Sequence, residues 1–341
     1  MLIVICGAGA SYDSLPSQLA KRGTVAAHLD RPPLADELFA NRPRFVDIMQ
    51  RFPACLPIVP YLQQRPSGRT VENILEELRD ESPEYPERIR QLASVRYYLQ
   101  ALLSRVVAIW TDDVGKGITS YKTLLDQIER WRKGDRVCLV TFNYDTMLED
   151  GLSGLSIRFF KTRDYVSPDS PYWLIKPHGS VNWGREIEHP AIDVARPSEK
   201  IDSDVIAKVH ELRLTQNYVV VPEATTRAKP LPLFPAIAIP VETKSEYECP
   251  PEHLDKLCEC LPNATRILVI GWRATERHFL KLLAEKLPAN VRWLVVAGGA
   301  EGAQEVIGNL KAAGIQGDYQ ACDSGFSRFV VHREGDGFLG S

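Results

Sequence analysis

Residues 2–11 read Leu2-Ile3-Val4-Ile5-Cys6-Gly7-Ala8-Gly9-Ala10-Ser11. An unbroken apolar run, rich in β-branched residues and without polar alternation, predicts a strand buried on both faces of a parallel sheet. The small residues that follow leave no Cβ atoms to keep backbone N–H groups from a bound phosphate. A helix starting near Ser11 would add its dipole to such an anion site. The Gly-x-Gly-x-x-Gly pattern is incomplete, because Tyr12 stands in place of the third glycine and Asp30 lies in a proline-flanked stretch. By itself this turn reads either as a phosphate cradle or as a plain tight strand-to-helix connection.

Working outward, residues 14–33 hold Pro16, Gly23 and the pair Pro32-Pro33 and read as an irregular loop. Residues 34–133 read as helices over 34–39, 44–51, 70–81, 84–110 and 121–131. Apolar residues recur there at three- and four-residue steps, as in Leu92, Val95, Leu99, Leu102 and Val106. The sheet resumes at 137–141, and further strands are expected at 156–160, 172–175, 218–221 and 236–239, with a helix at 202–213. The last third alternates strand and helix: strands at 266–270, 291–296 and 315–320, helices at 275–287 and 301–313. The expected fold is therefore α/β, a Rossmann-like parallel sheet with a large α-helical insertion after the first strand. Residues 1–33 and 134–341 would form the sheet domain and 34–133 the helical module.

Composition narrows the function classes. The chain has 341 residues, 44% hydrophobic and 25% charged, an ordinary balance for a sizeable core. A net charge of −3 gives no general pull toward nucleic acid or anionic membranes. Apolar runs reach only about five to six residues, far below the ~20 that span a bilayer. The chain starts directly in a strand without a basic leader, so a cytoplasmic protein is expected. Seven cysteines (6, 55, 138, 249, 258, 260 and 322) are an odd number, which suits reduced thiols better than a disulfide framework.

Three short motifs fall at expected strand ends: residues 7–11, Thr141-Phe142-Asn143-Tyr144-Asp145, and Lys176-Pro177-His178-Gly179-Ser180 with Val181-Asn182-Trp183 after it. The carboxyl ends of strands in an open α/β sheet are where ligands bind. Amide, carboxylate and imidazole groups converging there suit polar chemistry on a phosphate-bearing ligand. Asn143 would otherwise cap a following helix, His178 would make one turn hydrogen bond, and Trp183 would be core or pocket wall.

Taken in order, Gly-Ala-Gly-x-Ser, Thr-x-Asn-x-Asp, His-Gly, a glycine at 271 and an Asp-bearing tail resemble the sirtuin (SIR2) family. The Lys-x-His-Gly-Ser-x-Asn-Trp run at 176–183 resembles its bacterial SIR2-like NAD⁺-hydrolase branch. The resemblance implies an SIR2-type fold that takes NAD⁺ as substrate and cleaves it to nicotinamide and ADP-ribose, in an antiphage-defence setting. It implies that Gly7, Ala8, Gly9 and Ser11 hold the pyrophosphate, with Thr141 in the same nucleotide-binding set. Asn143 would hold the water or a ribose hydroxyl, Asp145 would orient the nicotinamide pocket, and His178 would be general base or ribose contact. Gly271 and Asp323 would line the adenosine half; Asp323 would otherwise cap the last helix.

Two departures shape the alternatives. Phe142 stands where sirtuin deacylases usually carry glutamine, and the four-cysteine zinc module that follows their His-Gly motif is missing, so no zinc is expected. Cys249, His253, Cys258 and Cys260 cluster later without a CxxC pair. Glu276 reads as a helix-start carboxylate. The alternative functions are an NAD-dependent deacylase or ADP-ribosyltransferase, and a non-catalytic NAD or ADP-ribose sensor. Tyr97, Tyr98 and Trp110 on the long helix look exposed, which points to a homo-oligomer or a defence-system partner, although covering the core of the helical module explains them about as well.

Overall fold

The computed structural model describes residues 1–15, 31–188, 198–221, 233–241 and 247–341. The expected loop at 14–33 thus lies mostly outside the described residues. By its contacts the chain divides into two compact units: Met1–Pro32, Val106–His178 and Lys244–Ser341 in one, Pro33–Arg105 and Gly179–Thr243 in the other.

The first unit is built on the strand with which the chain begins. Strands β1 (Leu2–Cys6), β2 (Val137–Thr141) and β3 (Tyr172–Ile175) lie on one side. After the antiparallel strands β4 (Gly179–Glu188), β5 (Arg213–Val220) and β6 (Leu233–Ile237) of the other unit come β7 (Arg266–Ile270), β8 (Arg292–Val296) and β9 (Asp318–Cys322). The six-stranded sheet has the order β3-β2-β1-β7-β8-β9, and every pairing in it is parallel. Counted within the sheet this is 3-2-1-4-5-6, the doubly wound order, with its reversal between β1 and β7. The expected α/β class is borne out. Ile3, Val4 and Ile5 are fully buried, as central strands of a parallel sheet require. The ladder continues one step past the strands, with Gly7 N–H donating to Ile270 O and Phe142 N–H to Cys6 O. The motif-bearing turns therefore leave the sheet at one edge.

Helices α1 (Ala8–Tyr12), α2 (Pro86–Ala108), α3 (Ser120–Trp131), α4 (Met147–Ser153), α5 (Pro251–Cys260), α6 (Arg277–Lys286), α7 (Ala300–Ala312) and α8 (Phe326–Val331) matter below. The division between units falls within α2, so the helical stretch 34–133 does not group as a whole. Its residues from Val106 on, α3 among them, belong to the sheet unit, while residues 33–105 share a unit with β4, β5 and β6. The antiparallel order β5-β4-β6 makes β6 an edge strand, where Pro235 is tolerated although it cannot donate.

Several expectations shift. The helix placed at 202–213 spans Ser198–Ala207, and the strands placed at 218–221 and 236–239 span Arg213–Val220 and Leu233–Ile237. Residues 156–160 form no strand: the N–H of Ile157 closes onto Leu152 O at the end of α4, and those of Phe160 and Lys161 donate to the Asp164 carboxylate. With its donors taken locally, the segment has no ladder to join. The strand placed at 315–320 begins at Asp318, because Ile315 N–H still donates to Leu310 O in the closing turn of α7. The aromatics that looked exposed are buried: Tyr97 donates to Leu233 O at 2.8 Å, Tyr98 to Leu38 O at 2.7 Å, and Trp110 to Ser14 Oγ at 2.9 Å. Each has its polar atom satisfied inside its own unit, so none is a free anchor for a partner.

Glycine is required where β1 and β7 end. Gly271 has φ +61°, and a Cβ there would lie 2.3 Å from Ala10 N. Gly308 in α7 has open space around it. Gly271→Ala should cost at least about 2 kcal/mol, from the left-handed backbone plus the clash. Gly308→Ala should gain about 0.5–1 kcal/mol from helix propensity. Thermal unfolding of both variants tests the pair, since the two midpoints should move in opposite directions.

Candidate functional site

The turn after β1 is shaped first by its neighbour strand. A Cβ on Gly7 would lie 2.6 Å from both Gly271 O and Trp272 Cα, and one on Gly9 would lie 3.0 Å from Gly271 Cα. The N–H groups of Gly7, Gly9 and Ala10 donate to Ile270 O, Gly271 O and Gly7 O. Gly7 and Gly9 thus owe their missing side chains to the close approach of two turns. Ala8 is exposed at the surface of that turn.

Ser11 points inward and gathers the second motif. Its hydroxyl donates to Asp145 Oδ2 at 2.6 Å, and Asn143 Nδ2 donates to Ser11 Oγ at 2.8 Å and to Gly7 O at 2.9 Å. Thr141 closes β2 and accepts the Asn143 N–H on Oγ1 at 3.1 Å. The other oxygen of Asp145, Oδ1, accepts from Met147 N at 3.1 Å. Asp145, not Asn143, therefore serves the start of α4. The loop alternates like a strand: Asn143 and Asp145 turn toward Ser11, while Phe142 and Tyr144 turn toward His178. The His178 ring lies 4.8 Å from Phe142 in an edge-to-face contact and 6.3 Å from Tyr144. His178 is buried. Gly179 follows it at φ +83°, in a place where a Cβ would overlap Ala236 O at 2.0 Å.

Four residues of this neighbourhood, Tyr121, Lys176, Glu149 and Asp13, were given no role by the sequence reading. Tyr121 on α3 joins the Ser11 and Asn143 cluster at 3.0 and 3.1 Å. Its phenol is pushed well above its ordinary range by burial, with Cys6 and Asp145 adding to the effect. Lys176, fully buried, pairs with Glu149 at 2.8 Å and donates to the Asp145 carbonyl, and Tyr165 donates to Glu149 at 3.1 Å. Asp13 accepts from Ser327 N at 3.1 Å and Ser327 Oγ at 2.8 Å, tying α8 to the first turn. Asp13 thus takes, at the start of α8, the capping part that the sequence offers to Asp323. Asp323 itself is exposed just past β9. Of these four, Lys176 lay inside a motif already singled out; Tyr121 reads in sequence as one more apolar position of a helix.

The later cysteines are accounted for by packing. All seven cysteines are free thiols, and Cys6, Cys55, Cys138, Cys249 and Cys260 are buried. His253 Nε2 donates to Thr162 O at 2.9 Å, and its ring stacks on Tyr165. Among the described residues no three His, Cys, Asp or Glu side chains stand together as a metal site would need. Glu276 binds back to its own turn, accepting from Trp272 Nε1 at 2.5 Å. Among the described residues no helix is long and apolar enough to cross a membrane.

No protein-family model matches this chain, nor does any curated protein. Solved structures do. The fold is similar to that of Sir2 homologues. A serine-to-alanine mutant of one, bound to ADP-ribose, is 12% identical with a TM-score of 0.43, over 99% of this chain and 90% of its own. Sir2Tm bound to a propionylated peptide is 12% identical with a TM-score of 0.42, over 99% and 94%. A Sir2 homologue in complex with NAD is 14% identical with a TM-score of 0.41, over 98% and 90%.

Two outcomes follow from the buried charges. Lys176→Met leaves Glu149 an unpaired buried carboxylate and should cost about 3–5 kcal/mol. The double variant Lys176→Met, Glu149→Leu should recover part of that loss in denaturant unfolding; additive losses would mean the two side chains do not act as a pair. Burial lowers the pKa of His253. The folded state then resists the proton that the unfolded chain takes up, so stability is full above pH about 6.5 and falls as pH drops below it. Replacing His253 by Gln should flatten that acid limb of the melting-temperature profile.

Proposed function

We propose that this protein binds NAD⁺ along the carboxyl edge of the parallel sheet and hydrolyses its nicotinamide–ribose bond. What supports the reading is the gathering of Ser11, Asn143, Asp145 and His178 at that edge, beside the strand-order reversal between β1 and β7. These are the groups that the SIR2 resemblance assigns to such chemistry.

Each has a physical part. The turn at residues 7–11 presents its exposed Ala8 to the nucleotide's pyrophosphate, and Gly271 and Asp323 flank the adenosine half. Asn143, its amide nitrogen held by the first turn, offers its carbonyl oxygen to a water or a ribose hydroxyl. Asp145 anchors that arrangement through Ser11. His178, walled by Phe142 and Tyr144, offers its imidazole as the base. In the reaction the C–N bond breaks with its electron pair leaving on nicotinamide. Ribose C1′ takes the oxygen of water, and the proton that water loses passes to His178. Water-poor walls favour this, because an oxocarbenium-like centre needs one placed nucleophile. The same resemblance assigns such an activity to a defence effector, working in the cytoplasm with copies of itself or a second protein.

The purified protein incubated with NAD⁺ should release nicotinamide and ADP-ribose without any peptide. Release that depends on an acetylated peptide would make it a deacylase, and nucleotide binding without release would make it a sensor. Asn143→Ala should lower turnover about 10²-fold while the fold persists. Wild-type turnover in that variant would remove Asn143 from the site.

A further inference from the structure

The hydrogens in the Ser11 cluster can be assigned by counting. Ser11 has one proton, and it goes to the Asp145 carboxylate at 2.6 Å, an acceptor that has none to give. In the 3.0 Å contact between Ser11 and Tyr121 the donor must then be the tyrosine. Asn143 Nδ2 brings two protons to three acceptors, Ser11 Oγ at 2.8 Å, Gly7 O at 2.9 Å and Tyr121 Oη at 3.1 Å, so the proton that reaches Tyr121 is shared. Gly7 O can only accept, so the amide nitrogen rather than the amide oxygen faces it at 2.9 Å. The result is a directed cluster: the Asn143 amide donates into both hydroxyls, Tyr121 O–H into Ser11 and Ser11 O–H into Asp145. Every step runs toward the carboxylate, and the whole of it is buried. A phenol whose pKa burial has raised stays protonated through neutral pH, so the cluster does not reverse in the working range.

We propose that Tyr121 is a positioning residue of this site: its hydroxyl joins Gly7 O and Ser11 Oγ in fixing the side-chain orientation of Asn143, so that only the carbonyl oxygen of that amide is turned to a ligand. Asn143 then serves a ligand solely as an acceptor, selecting a hydroxyl or a water. The tyrosine is itself held in place. Ser120 N–H, one residue before it, donates to Ser14 O at 2.7 Å, and its ring meets Phe326 edge-to-face at 5.2 Å. Helix α8, which carries Phe326, is tied to the first turn by Asp13. The proposal rests on the hydrolase reading only for its activity readout.

The test is Tyr121→Phe, which keeps the ring and its packing and removes one oxygen. With asparagine-selective ¹⁵N labelling, the Asn143 side-chain amide is identified by its loss in Asn143→Ala, and its solvent exchange is measured. We expect slow exchange in the wild type and about a tenfold rise in Tyr121→Phe. Nicotinamide release should show kcat lower by about tenfold with KM for NAD⁺ unchanged, because orientation rather than binding is lost. Unchanged exchange in Tyr121→Phe overturns the proposal. Should that variant not fold, the wild type still decides, since fast exchange of the Asn143 amide in it overturns the proposal. A wild type that releases no nicotinamide defeats the hydrolase reading, while the exchange comparison still decides the role of Tyr121.

Discussion

The contact between the turns after β1 and β7 is the constraint from which the site follows. Two backbones approach there until no Cβ fits on Gly7 or Gly271, and Gly9 N–H closes the contact on Gly271 O at 3.0 Å. Glycine costs conformational entropy on folding, which the hydrogen bonds and the burial of two central strands offset. Because the turn cannot slide, the side chain that emerges from it, Ser11, has a fixed address. The carbonyl of Gly7 is fixed by the same contact, and it is one of the three acceptors that meet the Asn143 amide nitrogen.

The loop after β2 carries strand-like alternation beyond the end of the ladder. Residues of one parity face Ser11 and those of the other face His178, so one short segment builds both halves of the site. Its ends are fastened separately. Thr141 receives the Asn143 N–H at 3.1 Å, Asp145 receives Met147 N–H at 3.1 Å, and the Lys176 ammonium holds the Asp145 carbonyl from beneath. A buried ammonium is costly unless paired, and Glu149 with Tyr165 supplies the compensation. The site is therefore held by polar groups that water does not reach. Such groups interact strongly at low dielectric and lose much when any one is removed.

Much of this was legible in the residues. The apolar runs at 2–6, 137–141, 172–175 and 266–270 mark their strands to the residue, since a strand buried on both faces leaves no polar position to blur its ends. The three motifs could be placed at strand ends for the same reason. Where the reading slipped, local hydrogen bonding had won. At 156–160 the end of α4 took the N–H groups of Ser156 and Ile157 and the Asp164 carboxylate that of Phe160, and at Ile315 the closing turn of α7 still held the chain. Tyr97, Tyr98 and Trp110 looked like surface anchors because a helix that is apolar on several sides gives no sign in sequence of which side is covered.

The sequence by itself determined the doubly wound class, the edge at which the motifs lie, and the residue types present there. Those follow from periodicity and from the small side chains at the turns, which are local properties. Only the tertiary structure decided which of them touch. Ser11 and Asp145 are 134 positions apart and Tyr121 and Asn143 are 22 apart, and no local rule joins them. It also decided that the first glycines serve the packing of β1 on β7, that Asp145 rather than Asn143 starts α4, and that a tyrosine from a plain amphipathic helix completes the cluster. Hydrogen-bond partners across a fold depend on strand order and helix placement, and the lone pairs and protons of each side chain acquire direction only once those are fixed.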